Sequence, residues 1–268
     1  GIDAESTRRA VALYETIVKK EVSATTTLTA EMSKTIENAY RDVNIAFANE
    51  VALLCESMGV DVFEIRDLIN ARPDRHMHTP GAGVGGHCLP KDSWLLQYGV
   101  RMYGQDPPDM RLIPLARQIN DGMPRHMLTL IEAACQEEDV ALEEAKVAIL
   151  GVSYLENADD TRNTPAADLA KLLLARGVEV VAHDPYVRPA DWERALGDGH
   201  RVPLTKGLDE ALAGADCAAI VTKHREYFEL TPEALGGMMR RPVVVDGRNV
   251  FGSVDGDGDI VLRAVGRR

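Results

Sequence analysis

Lys146-Val147-Ala148-Ile149-Leu150-Gly151-Val152-Ser153-Tyr154 is an aliphatic run closed by glycine, and it reads as a strand buried on both faces. The pattern then alternates. Asp159-Asp160-Thr161-Arg162-Asn163-Thr164-Pro165 opens a helix that is expected to run to Arg176 and stop at Gly177. Residues 178–182 return as a strand. Helices are expected at 208–213 and 231–239, strands at 217–221 and 243–246, and a short Gly/Asp turn at 254–259. Strands alternating with helices imply right-handed crossovers and a parallel sheet covered on both faces. The fold class expected is therefore α/β, with residues 144–268 forming a doubly wound, Rossmann-like unit.

Before residue 144 the period is helical. Residues 7–21 set Ala10, Leu13, Tyr14 and Ile17 on one face, and the β-branched stretch 22–27 reads as extended. Thr29 is the expected N-cap of a long helix over 30–58, stopped by Gly59, with Ile36, Val43, Ala46, Phe47, Val51 and Leu54 among its apolar positions. Helices are also expected at 62–70, 94–103 and 110–137, the last disturbed by Pro114 and Pro124. Residues 1–143 are thus expected to form an all-helical domain.

The 268 residues carry a net charge of −12, which argues against non-specific binding to nucleic acid or to anionic membranes. An anionic ligand would have to be met by local positive charge. No run of 18 apolar residues suggests a membrane span, and Gly1-Ile2-Asp3-Ala4-Glu5-Ser6 is no signal peptide. The four cysteines make neither a disulfide framework nor a Cys-x-x-Cys metal spacing. A cytoplasmic protein without a metal site is expected. Cys55, Cys135 and Cys217 lie in apolar patterns and read as small buried hydrophobes.

Cys88 differs. It lies in Pro80-Gly81-Ala82-Gly83-Val84-Gly85-Gly86-His87-Cys88-Leu89-Pro90-Lys91-Asp92, a thiol at the exit of a glycine-rich loop with a carboxylate about one helical turn on. Glycines let backbone approach a ligand closely, and a nucleophilic thiol needs access, a bound carbonyl and an organised base or water. The spacing misses Gly-x-Gly-x-x-Gly and no strand precedes it, so the loop is not a dinucleotide fingerprint. His87, adjacent to Cys88 in sequence, is a poor candidate for its base, because neighbouring side chains diverge. Lys34 and Asn38 share a helix face, and Asn38, Asn44 and Asn49 recur among apolar positions.

Residues 80–92 resemble the cysteine motif of the UDP-sugar 6-dehydrogenases, the family of UDP-glucose and UDP-N-acetylmannosamine dehydrogenases. The Gly-His-Cys-Leu-Pro form looks most like the second branch. Glu37 to Glu50 is similar to the family's central dimer helix, as are 159–165 and Asp246-Gly247-Arg248 to its nucleotide-binding stretches. The resemblance implies an NAD-dependent oxidation of a C6 hydroxymethyl to a carboxylate. Cys88 would capture the aldehyde as a thiohemiacetal, whose oxidation gives a thioester. Asn38 and Lys34 would face the substrate, and Asp92 with Lys34 would place the hydrolytic water. Gly81, Gly83, Val84 and Gly85, with Tyr154 and Arg248, would hold the UDP-sugar. Arg75 would reach into the partner's site across a homodimer formed through helix 30–58. Lys91 and Arg162 would lie on the NAD side.

Leu155 stands where the family usually has lysine, and Asn157 and Asn163 are lesser departures. Family members begin with a Rossmann domain that carries the NAD fingerprint and a catalytic glutamate, whereas Gly1–Lys20 matches the helix after it. This chain is therefore expected to hold the thiol and the nucleotide-sugar site without most of the NAD site. Two alternatives stay open: a non-catalytic UDP-sugar-binding and dimerising subunit, and one half of a split enzyme whose partner is a separate Rossmann-domain chain.

Overall fold

The structure, a computed structural model, describes residues 1–252 and 260–267; the turn expected at 254–259 lies outside them. Helix α1 (Ala4–Glu15) is capped by Asp3, whose carboxylate accepts from the Ser6 amide at 2.7 Å. It ends well before residue 21, and none of its residues is buried. Residues 21–26 hold no strand. Helix α2 (Thr27–Met58) starts three residues before the expected 30. Thr26, not Thr29, is its cap: the Thr26 hydroxyl accepts from the Thr29 amide at 3.1 Å, which puts Thr29 inside the first turn. Gly59 ends the helix at φ 68°, a left-handed conformation that favours glycine.

Helix α3 (Val62–Asn70) runs as expected. Helix α4 (Leu89–Tyr103) starts five residues before the expected 94, because Pro90 suits a helix's first turn and Cys88 can serve as the cap position. Helix α5 (Leu112–Glu137) continues through Pro124, and Pro114 falls in its first turn, where a missing N–H costs nothing. Helices α4 and α5 both pack along α2.

The rest is a six-stranded parallel sheet. Its elements in chain order are β1 (Lys146–Leu150), α6 (Pro165–Ala175), β2 (Glu179–His183), α7 (Pro189–Leu196), β3 (Leu204–Thr205), α8 (Leu208–Leu212), β4 (Cys217–Ile220), α9 (Pro232–Met238), β5 (Val243–Asp246) and β6 (Val261–Ala264). The strand order is β3-β2-β1-β4-β5-β6, so the direction of winding reverses between β1 and β4. Three elements went unforeseen: α7 is rich in charge, β3 has two residues and β6 contains Arg263, so none shows a clear period.

Alternation across the pleat divides the core. Val147, Ile149, Val180, Ala219, Val243 and Val245 face a cluster built with α5, α6 and Trp192 of α7. Ala148, Leu150, Ala218, Ile220 and Val244 face a second one with Leu212 of α8, Leu235 of α9, Tyr227 and Phe251. The first cluster also takes in Ala48, Ala52 and Cys55 of α2, so helical layer and sheet share one continuous core.

Candidate active site and nucleotide-binding cleft

Three strand ends meet at the winding reversal: β1 runs into Gly151-Val152-Ser153-Tyr154, β4 into Val221-Thr222-Lys223, and β5 into Gly247-Arg248. Open α/β sheets bind ligands outside the carboxyl ends of their strands at such a point. The loop 80–88 lies over it. Between them opens a cleft of about 700 Å³ whose lining includes Asn38, Arg41, Asn49, His78, Gly81, Gly83, Val84, Gly85, Cys88, Tyr154, Glu156, Arg162, Lys223 and Arg248.

The loop is clamped from both sides. The Gly81 amide donates to Asn49 Oδ1 at 2.9 Å, and Ala82 donates to the Gly247 carbonyl at 3.0 Å. Gly86 donates to the Arg162 carbonyl at 2.8 Å, and Asn163 Nδ2 donates back to Gly86 at 2.9 Å. The glycines serve this packing directly. A Cβ on Gly85 would meet Tyr154 Cβ at 2.5 Å, and one on Gly81 would meet an Arg248 guanidinium nitrogen at 2.7 Å. The expectation was that small residues would let a ligand come close. What the structure shows is that they let the loop seat on the sheet, which is what shapes the cleft.

Cys88 is exposed and sits at the N-cap of α4, and the Asp92 amide donates to its carbonyl at 2.9 Å, one turn on. The N-terminal end of a helix favours negative charge placed there. Cys55, Cys135 and Cys217 are all buried. Asn38 is buried at the cleft wall and donates from Nδ2 to Asp92 Oδ2 at 2.6 Å. Asp92 itself is buried and does not line the cleft; it also accepts from Lys91. Burial pushes the Asp92 carboxyl up, but its bonds to Lys91 and Asn38 outweigh that and hold it below the usual carboxylate range. It stands behind Asn38 rather than beside the thiol. Lys34 pairs with Glu37 at 2.6 Å, lies 3.4 Å from Asn38 Oδ1, and has its pKa raised chiefly by the Glu37 bond. It too stands outside the lining, as do Lys91 and Arg75, the last exposed and paired with Asp74.

Arg248 is half-buried at the end of β5. Its Nε donates to the Val221 carbonyl at 2.6 Å and one terminal nitrogen to the Gly83 carbonyl at 3.0 Å, tying strand end to loop. Burial lowers its pKa to about 10, which still leaves it charged at neutral pH. Arg162 is exposed, held by Asp160 through Nε at 3.0 Å. Among the described residues, four cationic side chains, Arg41, Arg162, Lys223 and Arg248, thus line the cleft with one carboxylate, Glu156. An anion finds local positive charge here in spite of the chain's −12.

Arg41, His78, Glu156 and Lys223 were not anticipated, since only tertiary proximity brings them to the cleft. The recurrence of asparagines on α2 was a usable signal: Asn38 and Asn49 are both buried at the cleft wall, while Asn44 bonds its own helix at the Tyr40 carbonyl. Behind Asn49 lies a buried network. Asn49 Nδ2 donates to Asn120 Oδ1 at 2.9 Å, Asn120 Nδ2 to Asp42 Oδ1 at 2.8 Å, and Arg117 to the same Asp42 oxygen at 2.7 Å. Among the described residues, no group of three or more His, Cys, Asp or Glu is placed to hold a metal ion, and no helix is long and apolar enough to cross a membrane.

Sheet, switch-point cleft and thiol loop together define an α/β protein with a helical flank and a cation-lined cleft. Residues 28–122 match the UDP-glucose/GDP-mannose dehydrogenase family, central domain, and residues 148–253 match the UDP binding domain of the same family. The chain belongs to that family. It is similar to the UDP-N-acetyl-D-mannosamine dehydrogenase of Pyrococcus horikoshii, with 37% identity over 100% of this chain and 59% of the relative. That protein's solved structure superposes with a TM-score of 0.87. An NDP-N-acetyl-D-galactosaminuronic acid dehydrogenase from Methanosarcina mazei Go1 superposes at 0.88 with 34% identity, covering 100% of this chain and 57% of that one. The UDP-N-acetyl-D-mannosamine dehydrogenase of Methanocaldococcus jannaschii is 36% identical over 94% of this chain and 54% of its own length. The chain therefore spans between half and two thirds of the length of these relatives.

Proposed function

We propose that this chain is the UDP-sugar-binding and thiol-bearing part of a nucleotide-sugar 6-dehydrogenase, with UDP-N-acetylmannosamine as its sugar nucleotide. The observation that carries this reading is that Cys88 and Arg248, 160 positions apart, open on one cleft at the sheet's switch point. Arg248, Tyr154 and the loop residues Gly81, Gly83, Val84 and Gly85 hold the nucleotide sugar. Cys88 Sγ adds to the carbon of a C6 aldehyde: the S–C bond forms, the C=O π bond opens, and the thiol proton passes to the oxygen. Asn38 donates toward that oxygen, and Asp92 positions Asn38 by accepting its other amide hydrogen. Lys34, beside Asn38, adds positive charge where oxyanion character develops.

NAD is the cofactor this family membership implies. The described residues do not form a cradle for it. The turn after β1 is not a glycine-rich turn into a helix: Gly151 packs against Thr222, and the loop 152–164 fills the space before α6. Arg162 and Lys91 are proposed to meet the cofactor from this side. Residues 1–143 are proposed as the dimerising domain and 144–268 as the nucleotide-sugar domain, with Arg75 lent to the partner's site, in a cytoplasmic homodimer.

The test is calorimetric titration of the chain with UDP-N-acetylmannosamine and UDP-glucose beside an assay of NADH production. Weak binding of the first without turnover is expected, since the described residues form no cradle for a hydride acceptor and an unpositioned one forfeits on the order of 7–11 kcal/mol. Turnover by these residues alone would refute that division of labour. Turnover restored by a separate dinucleotide-binding protein, and abolished by Cys88→Ala, would mark a split enzyme.

A further inference from the structure

Among the described residues that line the cleft, Glu156 is the one carboxylate, and its place there is unusual for a site that receives a diphosphate. Its Oε1 lies 3.3 Å from Lys223 Nζ, with the two side chains half and one-third exposed. The backbones that carry them are stitched together on both sides. Asn157 N donates to His224 Nδ1 at 2.9 Å, Arg225 N donates to Asn157 Oδ1 at 2.9 Å, and Thr222 Oγ1 donates to the Ser153 carbonyl at 2.5 Å. Asn157 takes φ 55°, a left-handed conformation that asparagine tolerates, and so turns the loop back under Glu156. The register of the two rim residues is thereby set, while their long side chains stay free to rotate.

The charge around the pair is uneven. Leu155, next to Glu156, lines the cleft half-exposed and adds no charge. Arg162 is occupied by Asp160 and Arg248 by two backbone carbonyls. The Glu156 charge also reaches Arg248, where it acts against the fall in pKa that burial imposes. A contact between partly exposed side chains is weak, and a diphosphate offers Lys223 more charge than one carboxylate does.

We propose that Glu156 and Lys223 form a displaceable latch on the cleft rim: Lys223 binds the diphosphate of the incoming nucleotide once its pair with Glu156 opens, and Glu156 is an internal competitor that weakens nucleotide binding. This rests on the reading of the cleft as a UDP-sugar site.

The experiment is calorimetric titration of the chain with UDP, and with uridine as a probe that lacks the diphosphate. Lys223→Gln should weaken UDP binding about tenfold, and Lys223→Arg should largely restore it. Glu156→Gln should tighten UDP binding about threefold, and that gain should vanish in the Glu156→Gln/Lys223→Gln double variant. Uridine binding should move in none of them. Weaker or unchanged UDP binding in Glu156→Gln, or a loss in Lys223→Gln that uridine shares, would overturn the latch while leaving the cleft reading in place. A wild-type chain that takes up no UDP would overturn the cleft reading itself, and the latch would fall with it.

Discussion

Helices α2 and α6 sit on the same core with opposite manners. Helix α6 buries Pro165, Ala166, Ala167, Leu169, Ala170 and Leu173, an ordinary apolar stripe. Helix α2 buries Asn38, Asp42 and Asn49 among alanines and leaves Ile36, Tyr40, Phe47, Leu54 and Met58 exposed, Met58 at 75%. Its inner face is polar because that face holds up the cleft: Asn38 fronts it, held by Asp92, and Asn49 carries the Gly81 loop, backed through Asn120 by Asp42. Its outer face is apolar from Ile36 to Met58, about six turns, more than a lone helix keeps in water, which is the ground for proposing a second copy there. One helix thus serves the cleft with its buried side and leaves its open side for the proposed second copy, whereas α6 packs its apolar stripe on the sheet.

If the polar inner face is structural as well as functional, breaking its centre should cost most. Arg117 and Asp42 are both fully buried, and burial keeps the Asp42 carboxyl above its usual range even against the opposing charge of Arg117. Arg117→Ala leaves that carboxylate without its cation and should destabilise the chain by about 3–5 kcal/mol. Denaturant unfolding checks this, and a loss under 1 kcal/mol would show that the network is dispensable.

The outer face should behave otherwise. Phe47→Asp should leave folding stability nearly unchanged yet raise the dimer dissociation constant more than tenfold, as losing an aromatic anchor does. Sedimentation of both proteins at micromolar concentration reads it out. A wild type that is already monomeric at that concentration would break the contrast between the two faces.

The sheet supplies a third case, in which buried charge does stabilise. Asp184 accepts from the Val152, Ser153, Tyr186 and Val187 amides and pairs with His224 at 3.0 Å. Burial opposes its ionisation, but His224 and the amides prevail and bring the carboxyl from 3.8 down to about 2. Because the folded value is the lower one, the stabilisation of about 2 kcal/mol is complete above about pH 4 and disappears as pH falls toward 2. Unfolding free energies at pH 6 and pH 3 should differ by less in Asp184→Asn than in the native chain; equal differences would deny Asp184 this role.

A smaller effect separates support from fold. Asn49→Ala removes the acceptor for Gly81 N–H and should cost about 1–2 kcal/mol, and amide exchange at Gly81 and Ala82 should quicken while that of β1 does not. Uniform quickening would mean that Asn49 holds the whole core instead of the loop.

Much of this was legible beforehand, for identifiable reasons. Runs such as 146–150 and 243–246 are too short and too aliphatic for anything but buried strands, so the doubly wound sheet follows from their alternation with helices. Cys88, Tyr154, Arg162 and Arg248 stood out because each lies in a motif read along the chain. Thr29 misled because four threonines, Thr25, Thr26, Thr27 and Thr29, compete for one cap, and only geometry selects Thr26. Asp92 lies one helical turn beyond Cys88, as its spacing implies, but that its side chain turns to Asn38 is visible only in three dimensions. Glu156 and Lys223 meet through two different strand ends, and no local pattern could pair them.

The central claim is that the reactive thiol and the nucleotide sugar share one cleft. The direct measurement is the rate of iodoacetamide alkylation at each cysteine, resolved by peptide mapping, with and without saturating UDP-N-acetylmannosamine. Cys88 should react far faster than Cys55, Cys135 and Cys217, which are buried, and the ligand should slow Cys88 severalfold while leaving the others alone. A bound ligand that leaves the Cys88 rate unchanged, or faster labelling of any of the other three, would contradict the account.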